Sequence, residues 1–186
     1  MPTPKRALVP LAAGFEEIEA LTVVDILRRG DVEVVTAGLE PGLVTGRSGI
    51  AVKPDAALDE ALAGPAFDLV ALPGGMPGSR TLRDDPRIIS VLQRTYASGG
   101  WVAAICAAPI ALERAGLLDG REATCHPGMA EELPGPSRNE ARVVISGRVV
   151  TSRAPGTAME LAFALVCALC GESMAAEVDA GVLSAS

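Results

Sequence analysis

The stretch Trp101-Val102-Ala103-Ala104-Ile105-Cys106-Ala107-Ala108-Pro109 decides the architecture. Its first five residues are apolar without a break, the pattern of a strand covered on both faces, as in a parallel sheet between helices. A helix from Ala107 to Ala115 tolerates Pro109 because that residue falls in the first turn, where its missing N–H is not needed. The chain therefore passes from a central strand into a helix at Cys106.

The same alternation extends in both directions. Arg6 to Leu11 reads as a strand with Pro10 near its end, since proline removes a ladder hydrogen bond. Glu16 to Arg29 reads as a helix, acidic in its first turn and basic in its last, as the macrodipole favours. Gly30 occupies the expected C-cap. Val32 to Ala37 and Asp68 to Leu72 are further strands, the second stopped by Pro73-Gly74-Gly75. Leu43 to Lys53 reads as a hairpin or short excursion around Gly46 and Gly49. Asp85 caps a helix that begins at Pro86 and runs to about Ser98. Arg142 to Ile145 and Val149 to Thr151 flank Ser146-Gly147-Arg148 as a second hairpin. Thr157 and Glu160 have capping-box spacing ahead of an apolar helix that Gly171 closes. Strands alternating with helices predict an α/β fold around a mainly parallel sheet. Without repeats or a linker, residues 1–186 are expected to form a single domain.

Composition narrows the function. Hydrophobic residues make up 49% and charged residues 21% of the 186 residues, enough apolar material for a core that needs no disulfide or metal. Lys and Arg (16) against Asp and Glu (23) leave a net charge of −7, which disfavours a phosphate backbone as partner. At 3% aromatic content, base-stacking platforms are disfavoured as well. Only one histidine is present, and no cluster has metal-ligand spacing, so neither a metal nor another cofactor is expected. No signal peptide is recognised, and the longest apolar run, Ala158 to Cys170, falls short of the roughly 20 residues a membrane span requires. A cytoplasmic enzyme is the class these features predict, with no membrane or nucleic-acid partner.

Cys106 is the first candidate for chemistry. At a strand-to-helix turn its side chain projects from the carboxyl edge of the sheet, where open α/β folds bind ligands. The following helix start would favour thiolate. The alternative role is a small buried apolar residue. Gly74 and Gly75 end a neighbouring strand and can offer N–H donors to an oxyanion, or simply form a tight turn. Glu19 lies on the first helix with Val23 and Ile26 on its side, where desolvation would keep it protonated; the alternative, and the default for Glu16, Glu17 and Glu19 alike, is an ordinary solvated face. Periodicity does not separate it from Glu16 and Glu17. His126 is the one available imidazole base, although a lone histidine is more often structural. Cys167 and Cys170 form C-x-x-C at a helix C-terminus, where the dipole opposes thiolate, so packing is the role assigned to them.

Five segments carry a resemblance. They are Arg6-Ala7-Leu8-Val9, Gly14-Phe15-Glu16-Glu17-Ile18-Glu19, Leu72-Pro73-Gly74-Gly75, Ala103 to Pro109, and Thr151-Ser152-Arg153-Ala154-Pro155-Gly156-Thr157. In this order they resemble the ThiJ/PfpI superfamily, in the branch of the parkinsonism-associated protein deglycase and the bacterial chaperone YajL, over about residues 5 to 182. The resemblance implies a flavodoxin-like three-layer sandwich, a homodimer, and a cofactor-free enzyme. The implied activity is that of a glutathione-independent glyoxalase or deglycase. Its implied substrates are methylglyoxal, glyoxal and their early glycation adducts, released as a hydroxy acid, with a part in oxidative-stress protection. Matched residue by residue, Cys106 takes the place of the nucleophile and Glu19 that of the protonated acid bonded to it. Gly74, Gly75 and Ala107 line the oxyanion pocket, His126 is the histidine near the cysteine, and Arg29 is an arginine lent to the partner's site. Ala154 departs from the family's usual glycine. Two further roles remain open on the same residues: a redox-sensing holdase chaperone using an oxidisable Cys106, and a cysteine peptidase built on Cys106 and His126.

Overall fold

The structure, a computed structural model, describes residues 4–184; the outermost residues of the domain expected over 1–186 lie outside them. In the first half of the chain, strand β1 (Arg6–Leu11) leads into helix α1 (Glu17–Arg29) and strand β2 (Glu33–Gly38). Short strands β3 (Val44–Thr45), β4 (Ala51–Val52) and β5 (Ala56–Ala57) follow, then α2 (Leu58–Ala63) and β6 (Leu69–Leu72). Next come α3 (Gly78–Asp84), α4 (Pro86–Ala97), β7 (Trp101–Ile105) and α5 (Pro109–Arg114). The last part comprises β8 (Glu122–Ala123), a 3₁₀ turn (Pro127–Glu132), β9 (Ser137–Arg138), the hairpin β10 (Val143–Ser146) and β11 (Val149–Ser152), and helices α6 (Ala158–Cys170) and α7 (Glu172–Val182).

Seven strands form one sheet in the order β10-β11-β7-β6-β1-β2-β5, parallel throughout except for the edge pair β10–β11. The strand residues alternate between two cores, as a period of two requires. Leu8, Val70, Leu72, Val102 and Ala104 face α2, α3, α4 and α5, where they meet Leu58, Leu82, Ile88 and Leu92. Ala7, Val9, Leu69, Ala71, Ala103 and Ile105 face α1 and α6, against Val23, Ile26, Leu27, Leu161 and Leu165. Both faces of the central strands are therefore dry, which explains their unbroken apolar runs. Chain order reverses between β1 and β6, since β2 lies on one side of β1 and β6 on the other. A crevice forms at the carboxyl ends of strands where such a reversal occurs.

Of the expected helix caps, those at Gly30 and Asp85 hold and the one at Thr157 is corrected. Gly30 is the C-cap of α1, but Asp31 is the residue with positive φ (59°). Thr157 does not cap α6 with its side chain. Its hydroxyl accepts from the Arg153 and Ala154 N–H groups at 3.2 and 3.1 Å, and Glu160 pairs with Arg142, so the capping box is absent. By contrast, Asp85 does cap α4, accepting from the Arg87 N–H at 2.8 Å. Helices α2, α3 and α7 are elements the periodicity did not single out.

Candidate active site

Cys106 sits between the end of β7 and the start of α5 with φ of +63°, a left-handed backbone that a side-chain-bearing residue adopts only under constraint. Its N–H donates to the Ser152 carbonyl at 2.9 Å and its carbonyl accepts from the His126 N–H at 2.8 Å. Those two bonds fix the turn and leave the half-buried sulfur above the sheet edge.

The three acids at the start of α1, indistinguishable by periodicity, have three different partners. Glu16 pairs with Arg47 at 3.1 Å. Glu17 turns to the β3–β4 hairpin and accepts from the Ser48 and Ile50 N–H groups at 2.9 and 3.4 Å. Glu19, with 0% exposure, turns inward to the cysteine. One of its oxygens, Oε2, accepts from the Gly74 N–H at 2.7 Å, while Oε1 is buried without a conventional oxygen or nitrogen partner. The carboxyl lies beside the Cys106 side chain, since a Cβ on Gly74 would meet both. A protonated Glu19 satisfies both oxygens, since one accepts from Gly74 and the other carries the proton toward the sulfur.

Burial pushes the Glu19 carboxyl up to about 7, against the lowering effect of the Gly74 N–H. Burial also pushes the Cys106 thiol up to about 12, reinforced by the charge of Glu19 and its hydrogen bond. The Ala107 and Gly75 N–H groups pull it down. The helix start, expected to favour thiolate, acts in that direction through the Ala107 N–H but is outweighed by burial. Helix α5 begins only at Pro109 and has six residues, too little dipole to offset desolvation beside a second acid. The two groups titrate as a pair. A first proton leaves near neutrality and the second is retained, so one negative charge resides on either carboxylate or sulfur.

The predicted oxyanion residues separate into two groups. The N–H groups of Gly75 and Ala107 face Cys106. That of Gly74 does not, because Glu19 already occupies it. Gly74 instead serves by lacking a side chain: a Cβ there would lie 2.5 Å from Glu19 Oε2 and 2.8 Å from Cys106 Cβ. Gly75, with φ of +91°, has the left-handed conformation that favours glycine.

His126 is exposed, and its ring Nδ1 accepts from the Gly128 N–H at 3.1 Å. Its main chain is joined to Cys106, but the described hydrogen bonds do not bring its ring to the sulfur. Arg29 ends α1, ten residues past Glu19 and so about 15 Å along the helix axis, where it pairs with Asp25 at 2.9 Å. Within one chain it does not reach the site. Among the described residues, no group of three or more His, Cys, Asp or Glu side chains is arranged to hold a metal. What sequence reasoning missed is that Glu17 ties the hairpin, and with it the Arg47 charge that lowers the Glu19 carboxyl, to the start of α1. The available signal was an acid in a helix first turn with apolar neighbours, and it did not tell the three acids apart.

Sheet order, a reversal of strand order between β1 and β6, and a cysteine at a strand-to-helix turn beside a buried carboxylic acid define a class of flavodoxin-like α/β proteins with a cysteine-centred site. Within that class the chain belongs to the DJ-1/PfpI family, whose pattern matches residues 5–168. It is 40% identical to the Parkinson disease protein 7 homolog of Danio rerio, over 96% of this chain and 97% of that protein. It is 37% identical to the glutathione-independent glyoxalase DJR-1.2 of Caenorhabditis elegans, over 89% of each. The crystal structure of Drosophila melanogaster DJ-1beta superposes with a TM-score of 0.94 at 37% identity, covering 99% of this chain and all of that one. Some relatives are longer: the chain spans 40% of the length of the protein DJ-1 homolog B of Arabidopsis thaliana, to which it is 40% identical.

Proposed function

We propose that this protein is a cofactor-independent, cysteine-dependent glyoxalase of the glutathione-independent type, acting on methylglyoxal, glyoxal and their early adducts. The observation that carries this reading is the fully buried Glu19 in contact with Cys106, with the Gly75 and Ala107 N–H groups on the same sulfur. The likeness to a protein named a glutathione-independent glyoxalase supports it.

The reactive form of the pair has the charge on sulfur and the proton on Glu19. The thiolate adds to the aldehyde carbon of methylglyoxal, and the new oxyanion takes the Glu19 proton to give a hemithioacetal. Glu19, now a carboxylate, removes the hydrogen from that carbon. The resulting enediol is reprotonated at the adjacent carbon, yielding a thioester of lactate. Water cleaves the thioester, lactate leaves, and Cys106 is regenerated. Overall, one methylglyoxal and one water become one lactic acid. The Gly75 and Ala107 N–H groups are placed to stabilise negative charge close to the sulfur, which is where it develops.

The same site suits deglycation, because an early adduct of a dicarbonyl presents the same carbon to the thiolate. The peptidase alternative gains no support, since it needs the His126 ring on Cys106 and that ring is engaged by Gly128. We further propose that the active unit is a homodimer formed through α1. Ile18 (57% exposed) and Leu21 lie uncovered on that helix, beside the hairpin that bears exposed Ile50.

Lactate formation from methylglyoxal by wild type and Cys106→Ser tests the reading. The variant is expected to lose turnover by about 10³-fold or more, as a hydroxyl without an activating base is a poor nucleophile. Its thermal unfolding should be unchanged. Turnover retained in Cys106→Ser would overturn the proposal.

A further inference from the structure

Cys125 is a half-buried free thiol for which the proposed chemistry has no use. It directly precedes His126, whose N–H donates to the Cys106 carbonyl at 2.8 Å. Two planar trans peptides joined by one such bond place the Cα atoms of Cys106 and Cys125 about 5–6 Å apart. Disulfides span roughly 4.4–6.8 Å between Cα atoms. The other two cysteines are remote: Cys170 Sγ donates to the Gly30 carbonyl at 3.4 Å, beyond the end of α1 opposite to Glu19, and Cys167 is one turn away on the same helix.

Cys125 also has room and a suitable environment. It lines a cavity of about 160 Å³ together with Pro127, Arg138 and Arg153. Burial raises its thiol, and the two guanidinium groups act in the opposite direction. In the reduced protein the two sulfurs face different pockets, Cys106 toward Glu19 and Gly75, Cys125 toward the arginines. Joining them requires side-chain rotation at Cys125, for which that cavity provides the space.

We propose that Cys125 is a resolving thiol for Cys106, closing a reversible disulfide when a hydroperoxide oxidises the site. The inference rests on the reading of Cys106 as a reactive thiol. The Cys106 thiolate takes the terminal oxygen of the hydroperoxide, becoming a sulfenic acid while an alcohol, or water from hydrogen peroxide, departs. The Cys125 thiolate then attacks the sulfenic sulfur, the S–S bond forms, the S–O bond breaks, and hydroxide leaves as water. Two thiols are oxidised and one peroxide is reduced, and a dithiol reverses the change. Without a neighbouring thiol, the sulfenic acid proceeds to sulfinic acid, which thiols do not reduce.

The test treats the full chain with a small excess of hydrogen peroxide, enough to supply the two oxidations that take a thiol to sulfinic acid, then alkylates free thiols and maps peptides without reduction. Arg114 and Arg121 lie between the two cysteines, so trypsin separates them unless they are bonded. Wild type is expected to yield a linked Cys106–Cys125 pair and to regain full methylglyoxal turnover with dithiothreitol. Cys125→Ser and Cys125→Ala are expected to turn over normally before oxidation. After it, both should accumulate sulfinic acid at Cys106 and stay inactive with dithiothreitol. No linked pair in wild type, with sulfinic acid forming equally fast in all three proteins, would overturn the resolving role alone. A Cys106 inert to peroxide in every protein would overturn both that role and the reading beneath it.

Discussion

A carboxylic acid and a thiol buried side by side cannot both ionise near neutral pH, and this constraint governs the site at the residue scale. Because the pair loses its first proton near 7, the nucleophilic charge accumulates as pH rises through neutrality. Turnover is therefore expected to climb about tenfold per pH unit below 7 and to level off above it. Glu19→Gln keeps the shape but cannot move the proton. Its turnover should fall by about 10²–10⁴-fold and the inflection near 7 should disappear, both read from a pH–rate profile. Stability provides an independent check. The folded-state value of Glu19 is raised from 4.5 to about 7, so its contribution is fully present below pH 4.5 and is lost as pH rises through 7. Relative to Glu19→Gln, wild type should lose about 3 kcal/mol of unfolding free energy across that interval. A difference that stays flat with pH would mean that Glu19 is not held protonated.

At the scale of elements, a hairpin with little core of its own is held against the turn that leads into α1. Strands β3 and β4 have two residues each, and what ties them to α1 is hydrogen bonding. Glu17 accepts from Ser48 and Ile50, Phe15 accepts from the Arg47 N–H at 2.9 Å, and Thr45 accepts from the Gly14 N–H at 2.8 Å. Removing the Glu17 carboxylate takes the acceptor from two part-buried amide hydrogen bonds, a cost of about 0.5–1.5 kcal/mol. Glu17→Ala should lower stability by that amount and speed amide exchange at Ser48 and Ile50. Glu17→Gln retains an acceptor oxygen and should lose much less. Equal losses in the two variants would show that the carboxylate packs rather than bonds. The loosened hairpin also carries Arg47, whose charge lowers the Glu19 carboxyl. The Glu17→Ala pH–rate inflection should accordingly shift upward.

Across the whole molecule, the parallel sheet divides apolar residues between two cores, and the residues left over on α1 call for a further covering. Ile18→Glu places a charge at the centre of the proposed dimer contact. At micromolar concentration, wild type should sediment with twice the chain mass and Ile18→Glu with the mass of one chain. A wild-type monomer would remove the dimer from the proposal. Since Arg29 reaches no site within its own chain, the place near a partner's site that the resemblance implies for it depends on the same measurement.

The α/β alternation, the central strands and the position of Cys106 at a chain turn were legible in the residues. Burial on both faces produces unbroken apolar runs, and strand ends are punctuated by proline and glycine, so these signals are local. Short pieces such as α2 and α3 escaped because one or two turns establish no period, and Thr157 failed as a cap because the Arg153 and Ala154 N–H groups just before it donate to its hydroxyl. The chemical distinctions were not local. Glu16, Glu17 and Glu19 read alike along the chain, and they differ because β6 brings Gly74 under one and the hairpin brings amides to another. Protonation of Glu19, the loss of Gly74 as an oxyanion donor and the turning of the His126 ring toward Gly128 all depend on which groups folding packs together. Charge and hydrogen bonding act through space at a few ångströms, and that separation is set by the sheet order rather than by the interval along the sequence.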